Sequence, residues 1–198
     1  MRYPSGEDLR ATFDRVSAAN FCGVNGVVEI QGRQSGKRFL LSAMTHGNEL
    51  SGLAAVHYLL NSPDLLDRLK GSIVVTINNL LAGRRYFEAC TPEDKLLCRF
   101  VDHNMNRLPE WVLDLSKTTD KYEILRARRL AQIVSEVNFG LDLHSTRYPS
   151  PPLIIDIKGN DEDLDSLSDG IDIVDRIANI VSLAVGHSMG ELYGGLDS

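Results

Sequence analysis

Residues 72–78 read Ser-Ile-Val-Val-Thr-Ile-Asn, a continuous β-branched run that is typical of a strand covered on both faces. The nearly all-apolar segment 50–60 precedes it and predicts a buried helix that ends before Asn61-Ser62-Pro63. Around this centre, the spacing of apolar residues predicts three more helices: 7–20, 120–137 and 171–185. Short β-rich runs predict four more strands: 23–30, 38–44, 139–143 and 153–157.

The first two of these strands are separated by QGRQSGK (31–37), which predicts a hairpin. Strands that alternate with helices of ten or more residues indicate a mainly parallel sheet with helices on both faces, and the hairpin makes the sheet mixed. We therefore expect an α/β fold of three α/β/α layers, in which ligands bind beyond the carboxyl ends of the strands. The helix over 120–137 is expected to turn five residues inward: Tyr122, Leu125, Leu130, Ile133 and Val134.

Composition narrows the class of protein. The 198 residues are 43% hydrophobic and 24% charged, which is typical of one globular domain over 1–198. The net charge of −6 argues against a nucleic-acid-binding protein. No apolar run approaches the roughly 18–20 residues of a membrane span, and the first residues have no apolar secretory core. Because the three cysteines also form no CxxC pair, we expect a cytoplasmic protein.

A first polar cluster, MTHGNE at 44–49, follows a predicted strand. His46 and Glu49 are three residues apart, which at a helix start puts both side chains on the same side, where they can bind one Zn²⁺. The same cluster also fits a helix N-terminus that is capped by Thr45 or Asn48. Taken alone, it does not decide between these two interpretations.

A second polar cluster, LDLHST at 141–146, lies at the end of another strand. Asp142 and His144 share a face of that strand, although an ordinary strand end fits the cluster as well. The two clusters together place His46, Glu49 and His144 at one sheet edge, which gives the His₂Glu set of a catalytic zinc site. Asp142 is then the expected acceptor for the second ring nitrogen of a ligand histidine.

A third cluster comprises 78–82 (NNLLA) and 99–107 (RFVDHNMNR). With it, the chain resembles the succinylglutamate desuccinylase/aspartoacylase family, a branch of the zinc carboxypeptidase-like enzymes. That family's motifs follow the order HGNE, N-P-x-A, R-Y/F-x-D-x-D-x-N-R and D-L-H. This chain has THGNE, NNLLA, RFVDHNMNR and DLHST in the same order, so the resemblance covers 38–146.

The resemblance implies a role for each matching residue. Arg99 matches the arginine that polarises the scissile amide carbonyl and helps to hold the oxyanion. Asn106 and Arg107 match the pair that binds a substrate carboxylate, a role suited to the two-pronged guanidinium. The residues that match the ligands of the family's single zinc ion are His46, Glu49 and His144.

The chain departs from the family pattern at two places. Asn104 and Leu80 stand where members often carry Asp and Pro, and Asn104 keeps hydrogen bonding in the substrate-binding segment without the charge. The family's general-base glutamate lies in a T-x-E-x-G pattern on a later strand. After the third ligand the only glutamates are Glu162 and Glu191, and neither follows a β-rich run. We therefore expect this chain to stop before that strand and before a β-rich C-terminal domain, and to lack the catalytic glutamate.

These observations predict a zinc-dependent amidohydrolase that removes the acyl group from an N-acyl amino acid or a similar carboxylate-bearing amide. Two other functions stay open at this point: a metallocarboxypeptidase-type peptidase and a non-catalytic zinc- or ligand-binding domain. The expected partner is the small-molecule substrate, with neither nucleic acid nor membrane. A chain that stops before its C-terminal part would expose the apolar patch that this part normally covers. Copies of the chain could associate through such a patch, so a homo-oligomer is a further option.

Overall fold

Helices and strands alternate along residues 3–145, the part of the chain that the computed structural model describes. The helices are α1 (Gly6–Ala18), α2 (Ser51–Leu60), α3 (Pro63–Arg68), α4 (Leu80–Glu88), α5 (Pro92–Leu97) and α6 (Tyr122–Val134). The strands are β1 (Asn20–Phe21), β2 (Val24–Asn25), β3 (Val27–Gln31), β4 (Gln34–Ala43), β5 (Lys70–Ile77) and β6 (Phe139–Leu143). Two short 3₁₀ helices, Met105–Arg107 and Glu110–Leu113, lie between α5 and α6.

The main sheet has the strand order β3-β5-β4-β6. Strand β4 is parallel to both β5 and β6, whereas β3 is antiparallel to β5, so the sheet is mixed and mainly parallel, as predicted. The predicted hairpin of β3 with β4 is wrong, because β5 lies between them. The turn after β3 crosses the start of β5, where the Gly32 N–H donates to the Gly71 carbonyl at 2.8 Å. This order puts the most apolar strand in the interior, and β5 is buried at every residue after Lys70.

Helices cover both faces of this sheet. At Gly52, helix α2 comes so close to the sheet that a Cβ there would lie 3.1 Å from the Cβ of Ala43. On the opposite face, Leu130 and Ile133 of α6 form a buried cluster with Leu40. Residues 40 and 43 point to opposite faces of β4 because side chains alternate along a strand. The predicted α/β/α layering is therefore confirmed within the described residues.

The inner side of α6 differs from the prediction. Leu130 and Ile133 are buried as expected, but Leu125 is 41% exposed and Val134 is 50% exposed. Two charged residues, Glu123 and Arg126, are buried in their place. The prediction counted only apolar residues, whereas the inner side of this helix is partly charged.

Several other predicted elements are confirmed, although the strand predicted over 23–30 is divided into β2 and β3, and helices α3, α4 and α5 were not predicted. The helices predicted over 7–20 and 50–60 are confirmed as α1 and α2, and the strands over 72–78 and 139–143 as β5 and β6. The strand predicted over 153–157 and the helix over 171–185 lie outside the described residues. None of the helices within residues 3–145 combines the length and apolar character needed to cross a membrane.

Candidate metal centre

The loop between β4 and α2 carries the first two predicted ligands. Met44, directly after β4, has a φ of 54°, a left-handed conformation that is uncommon for such a residue. The chain then turns, and the Glu49 N–H donates to the His46 carbonyl at 3.1 Å. Helix α2 begins only at Ser51, so His46 and Glu49 lie in a turn before the helix. The prediction that both lie at the start of the helix is therefore wrong. The turn still brings the side chains together, with His46 Nδ1 2.8 Å from Glu49 Oε1.

The third predicted ligand reaches the same place from the neighbouring strand. His144 follows β6, and its Nδ1 lies 2.8 Å from Glu49 Oε2. One ligand atom from each of His46, Glu49 and His144 lies within 4.8 Å of the other two. His46 and Glu49 are buried, at 1% and 4% exposure, while the His144 side chain is about one-third exposed. Two imidazoles and a carboxylate so arranged are a donor set that fits Zn²⁺, with one side accessible to solvent.

Hydrogen bonds within this cluster shift the pKa values of its members. Burial by itself raises the pKa of Glu49, but hydrogen bonds from His144 and His46 outweigh it and lower that pKa to about 2. The pKa of His144 is raised to about 10, first by its hydrogen bond to Asp142 and then by the one to Glu49. Without a metal ion at neutral pH, the cluster therefore holds an ionised carboxylate against a protonated imidazole. A bound metal cation would take the place of that proton.

Asp142 lies beside His144, the predicted ligand histidine. Its Oδ2 lies 2.9 Å from His144 Nε2, the ring nitrogen that faces away from Glu49. The Thr45 hydroxyl donates to the same carboxylate at 2.8 Å. Thr45 is therefore not a helix cap, and the N-cap residue of α2, Leu50, makes no side-chain capping hydrogen bond.

Arg99 lies against the cluster of predicted ligands. Its guanidinium donates to Glu49 Oε1 at 3.0 Å and its side chain is 42% exposed. The backbone of this segment is held to the ligand loop by the Gly47 N–H, which donates to the Arg99 carbonyl at 3.0 Å. A Cβ at Gly47 would lie 2.4 Å from the Cys98 carbonyl oxygen, so only glycine permits this approach.

The three predicted substrate-binding residues lie at different distances from the cluster. Asn104 Oδ1 is 2.9 Å from His46 Nε2, which places this side chain in direct contact with a predicted ligand. Asn106 Nδ2 makes only a long contact of 3.5 Å with His144 Nε2. Arg107 is exposed and donates to the Asn106 carbonyl at 3.0 Å. The structure therefore brings Asn104 to the cluster and Asn106 to its rim, whereas Arg107 donates its hydrogen bond within its own turn.

Glu123 holds the segment that carries Arg99 and Asn104, and the sequence analysis missed it. It is 0% exposed, and its carboxylate accepts a hydrogen bond from the Asn79 amide at 3.0 Å. Its other donors are three successive backbone N–H groups, at 2.6 to 3.0 Å: Val101, Asp102 and His103. Burial raises the pKa of Glu123, but these bonds lower it by more, so the group stays ionised at neutral pH.

Arg126, which lies on the same helix as Glu123, donates hydrogen bonds to backbone carbonyls at the ends of strands. Its guanidinium donates to three backbone carbonyls at 2.8 to 2.9 Å: Asn25, Ile77 and Asn78. Glu123 and Arg126 lie in one stripe with Leu130 and Ile133, at spacings typical of one helix face. That spacing is the signal that would have identified the two charged residues as inward-facing.

Comparison with known proteins agrees with the motif order. The succinylglutamate desuccinylase/aspartoacylase catalytic domain family matches residues 35–176, which is more than half of the chain. The chain belongs to this family.

Similar proteins occur in vertebrates. The chain is 33% identical over 122 residues to a human N-acyl-aromatic-L-amino acid amidohydrolase (carboxylate-forming), covering 58% of this chain and 35% of that protein. It is 32% identical to the Xenopus laevis protein of the same name, covering 59% of this chain and 36% of that one. The chain thus spans about a third of the length of the curated relatives it matches.

Among solved structures, the succinylglutamate desuccinylase from Chromobacterium violaceum aligns with a TM-score of 0.45 and 22% identity. The alignment covers 69% of this chain and 45% of that one.

Proposed function

We propose that this chain is the zinc-binding part of an amidohydrolase that cleaves N-acyl amino acids. The observation that carries the proposal is the convergence of His46, Glu49 and His144 within 4.8 Å at the carboxyl edge of the parallel strands, with Arg99 in contact with Glu49. The vertebrate relatives are named for the hydrolysis of N-acyl amino acids, which supports the same substrate class here.

His46, Glu49 and His144 would hold the zinc ion. In such sites zinc supplies Lewis-acid polarisation of a carbonyl and activation of water at neutral pH. The donor set meets the chemical requirement, because it combines two imidazoles with a carboxylate that stays ionised, the pKa of Glu49 being about 2. The solvent-accessible His144 side leaves room for a substrate to approach.

The other residues of the site would orient the substrate. Arg99 is half exposed beside the ligands, so its guanidinium can donate to the carbonyl oxygen of an amide that binds there. Asn104 and Asn106 line the adjoining rim, and Arg107 follows them on the exposed turn. Because a guanidinium binds a carboxylate through two parallel hydrogen bonds, we assign Arg107 to the carboxylate of the amino acid.

No residue within 3–145 is assigned as the acceptor of the proton from water. Glu49 is engaged by both histidines, and Asp142 is engaged by Thr45 and His144. Glu162 and Glu191 lie outside the described residues. A positioned base contributes typically 10²–10⁴-fold, so turnover by this chain should be slow unless one of those two residues serves.

The proposal is tested by zinc content and hydrolysis together. The 198-residue chain should retain about one zinc per chain after loading and dialysis, and His144→Ala should retain far less. His57→Ala is the matched control, because His57 lies on α2 in contact with Thr12 and away from the cluster. Zinc retention that is equal in wild type and His144→Ala would refute the site.

Hydrolysis is then measured with zinc-loaded protein on N-acetyl and N-succinyl amino acids and on blocked dipeptides. Zinc-dependent release of amino acid from the first group supports the amidohydrolase. Preferential cleavage of the dipeptides would indicate a carboxypeptidase instead. A chain that binds zinc, but neither cleaves nor binds any of these compounds, would indicate a non-catalytic binding domain.

A further inference from the structure

A continuous line of hydrogen bonds crosses the carboxyl ends of three neighbouring strands. Thr76 Oγ1 donates to Asn78 Oδ1 at 2.8 Å, and Asn78 Nδ2 donates to Thr45 Oγ1 at 2.8 Å. The Thr45 hydroxyl then donates to Asp142, whose Oδ2 lies 2.9 Å from His144 Nε2. The line follows the sheet order β5-β4-β6 and ends at a proposed zinc ligand.

The donors in this line all point toward the Asp142 carboxylate. A threonine hydroxyl has one proton to donate and two lone pairs that accept. Because the Asn78 amide group donates to Thr45 Oγ1, the hydroxyl proton of Thr45 is directed at Asp142. Hydrogen bonds aligned in this way polarise one another and strengthen the last one.

Asp142 needs such an anchor because its strand is the last of the sheet within residues 3–145, and its side chain is 40% exposed. Thr45 is only 3% exposed and is held from the other side by Asn78. Its Oγ1 lies 2.8 Å from Asp142 Oδ1 and 3.0 Å from Oδ2, so the one hydroxyl restrains both carboxylate oxygens. Without it, the carboxylate would be free to turn toward water and away from His144.

We infer that Thr45 is a positioning residue for the zinc site. It holds Asp142 in the orientation that accepts a hydrogen bond from His144 Nε2 and leaves His144 Nδ1 directed at Glu49. The inference rests on the proposed function, because it requires that this cluster binds zinc. Partners that orient a ligand histidine typically contribute 10–100-fold to metal affinity, and Thr45 acts through such a partner.

The test is the zinc affinity of the 198-residue chain, measured by competition with a chromophoric chelator. Thr45→Val keeps the shape of the side chain and removes the hydroxyl, and it should weaken zinc binding about tenfold. Thr45→Ser restores the hydroxyl and should bind zinc within about threefold of wild type. The matched control is Thr12→Val, since the buried Thr12 hydroxyl also makes two hydrogen bonds but lies in α1 against α2. This control should change zinc affinity by less than about twofold.

A double-mutant cycle separates positioning from a general loss of structure. In an Asp142→Ala background the hydroxyl has no carboxylate to orient, so adding Thr45→Val should change zinc affinity by less than about twofold. If Thr45→Val itself does not fold, Asn78→Ala replaces it in the same cycle. Zinc affinity should then fall about threefold, because the hydroxyl proton of Thr45 is less firmly directed at Asp142.

The outcomes distinguish the inference from the proposed function. The inference is supported if Thr45→Val weakens zinc binding in the wild-type background and has no such effect in the Asp142→Ala background. An equal loss in both backgrounds, or a Thr45→Val protein that binds zinc like Thr12→Val, overturns the inference and leaves the zinc site intact. A wild-type chain that binds no zinc overturns the proposed function and the inference with it.

Discussion

Glu123→Gln should destabilise this protein more than almost any other substitution that keeps the shape of a side chain. The wild-type carboxylate meets four donors: Oε1 accepts from Asn79 and Val101, and Oε2 accepts from Asp102 and His103. Each oxygen therefore serves two donors in a fully buried position.

The magnitude follows from those four bonds. A glutamine has one acceptor oxygen, so in either orientation its NH₂ group faces two N–H donors that can no longer be satisfied. A buried polar group left without a partner costs about 1–3 kcal/mol, so two of them should lower the free energy of unfolding by about 2–6 kcal/mol. That loss is a large fraction of the stability of an ordinary domain.

The assay is urea unfolding of the wild type, Glu123→Gln and the control Glu88→Gln, whose glutamate is exposed at the end of α4. The control should change stability by less than about 0.5 kcal/mol. Hydrogen exchange should also accelerate at the amides of residues 101–103. A Glu123→Gln protein as stable as its control would refute the assignment of Glu123 as the anchor of this segment.

The loss of stability caused by Glu123→Gln should depend on pH in a fixed direction. The pKa of folded Glu123 lies below its ordinary value of 4.5, so its stabilisation is present above that value and is lost as the pH falls through the lowered pKa. The difference between wild type and Glu123→Gln should therefore be full at pH 7 and shrink in acid. A difference that grows as the pH falls would contradict an ionised Glu123.

Three further predictions concern the site and its support. Because the pKa of metal-free His144 is about 10, zinc must displace a proton, and zinc affinity should rise about tenfold per pH unit between pH 6 and 8. Calorimetry in two buffers of different ionisation enthalpy should show about one proton released, and a pH-independent affinity would contradict this. Arg107→Lys should reduce the preference for free-acid over amide-capped substrates, whereas an equal loss on both would indicate a structural role. Arg126→Met leaves three carbonyls without their donor and should lower the free energy of unfolding by about 3 kcal/mol or more, measured in urea.

Several features could be predicted because local sequence determines them. The β-branched run over 72–78 and the apolar segment over 50–60 form the strand β5 and the helix α2 that their own residues favour. The His₂Glu set could be predicted as well, because the residues that follow neighbouring parallel strands lie at the same edge of the sheet. The order of four motifs then pointed to the family that the comparison confirms.

Other features were misjudged because they depend on contacts between distant parts of the chain. Sequence adjacency favoured pairing β3 with β4, yet β5 separates them because the sheet interior is where its apolar residues are best buried. The predicted inner side of α6 ignored charge, yet the donors that make a buried Glu123 stable lie 20 to 44 residues earlier in the chain.

The amino-acid sequence by itself determined which residues can bind a metal and which segments form strands and helices, because those properties belong to the residues and their immediate neighbours. Only the tertiary structure decided how the site is supported. From the sequence, Thr45 was one of two candidate helix caps, and only the structure places its partner Asp142, 97 residues away, beside it. A hydrogen bond of that separation depends on strand register and on the order of strands in the sheet, and neither is encoded in the spacing of residues along one segment.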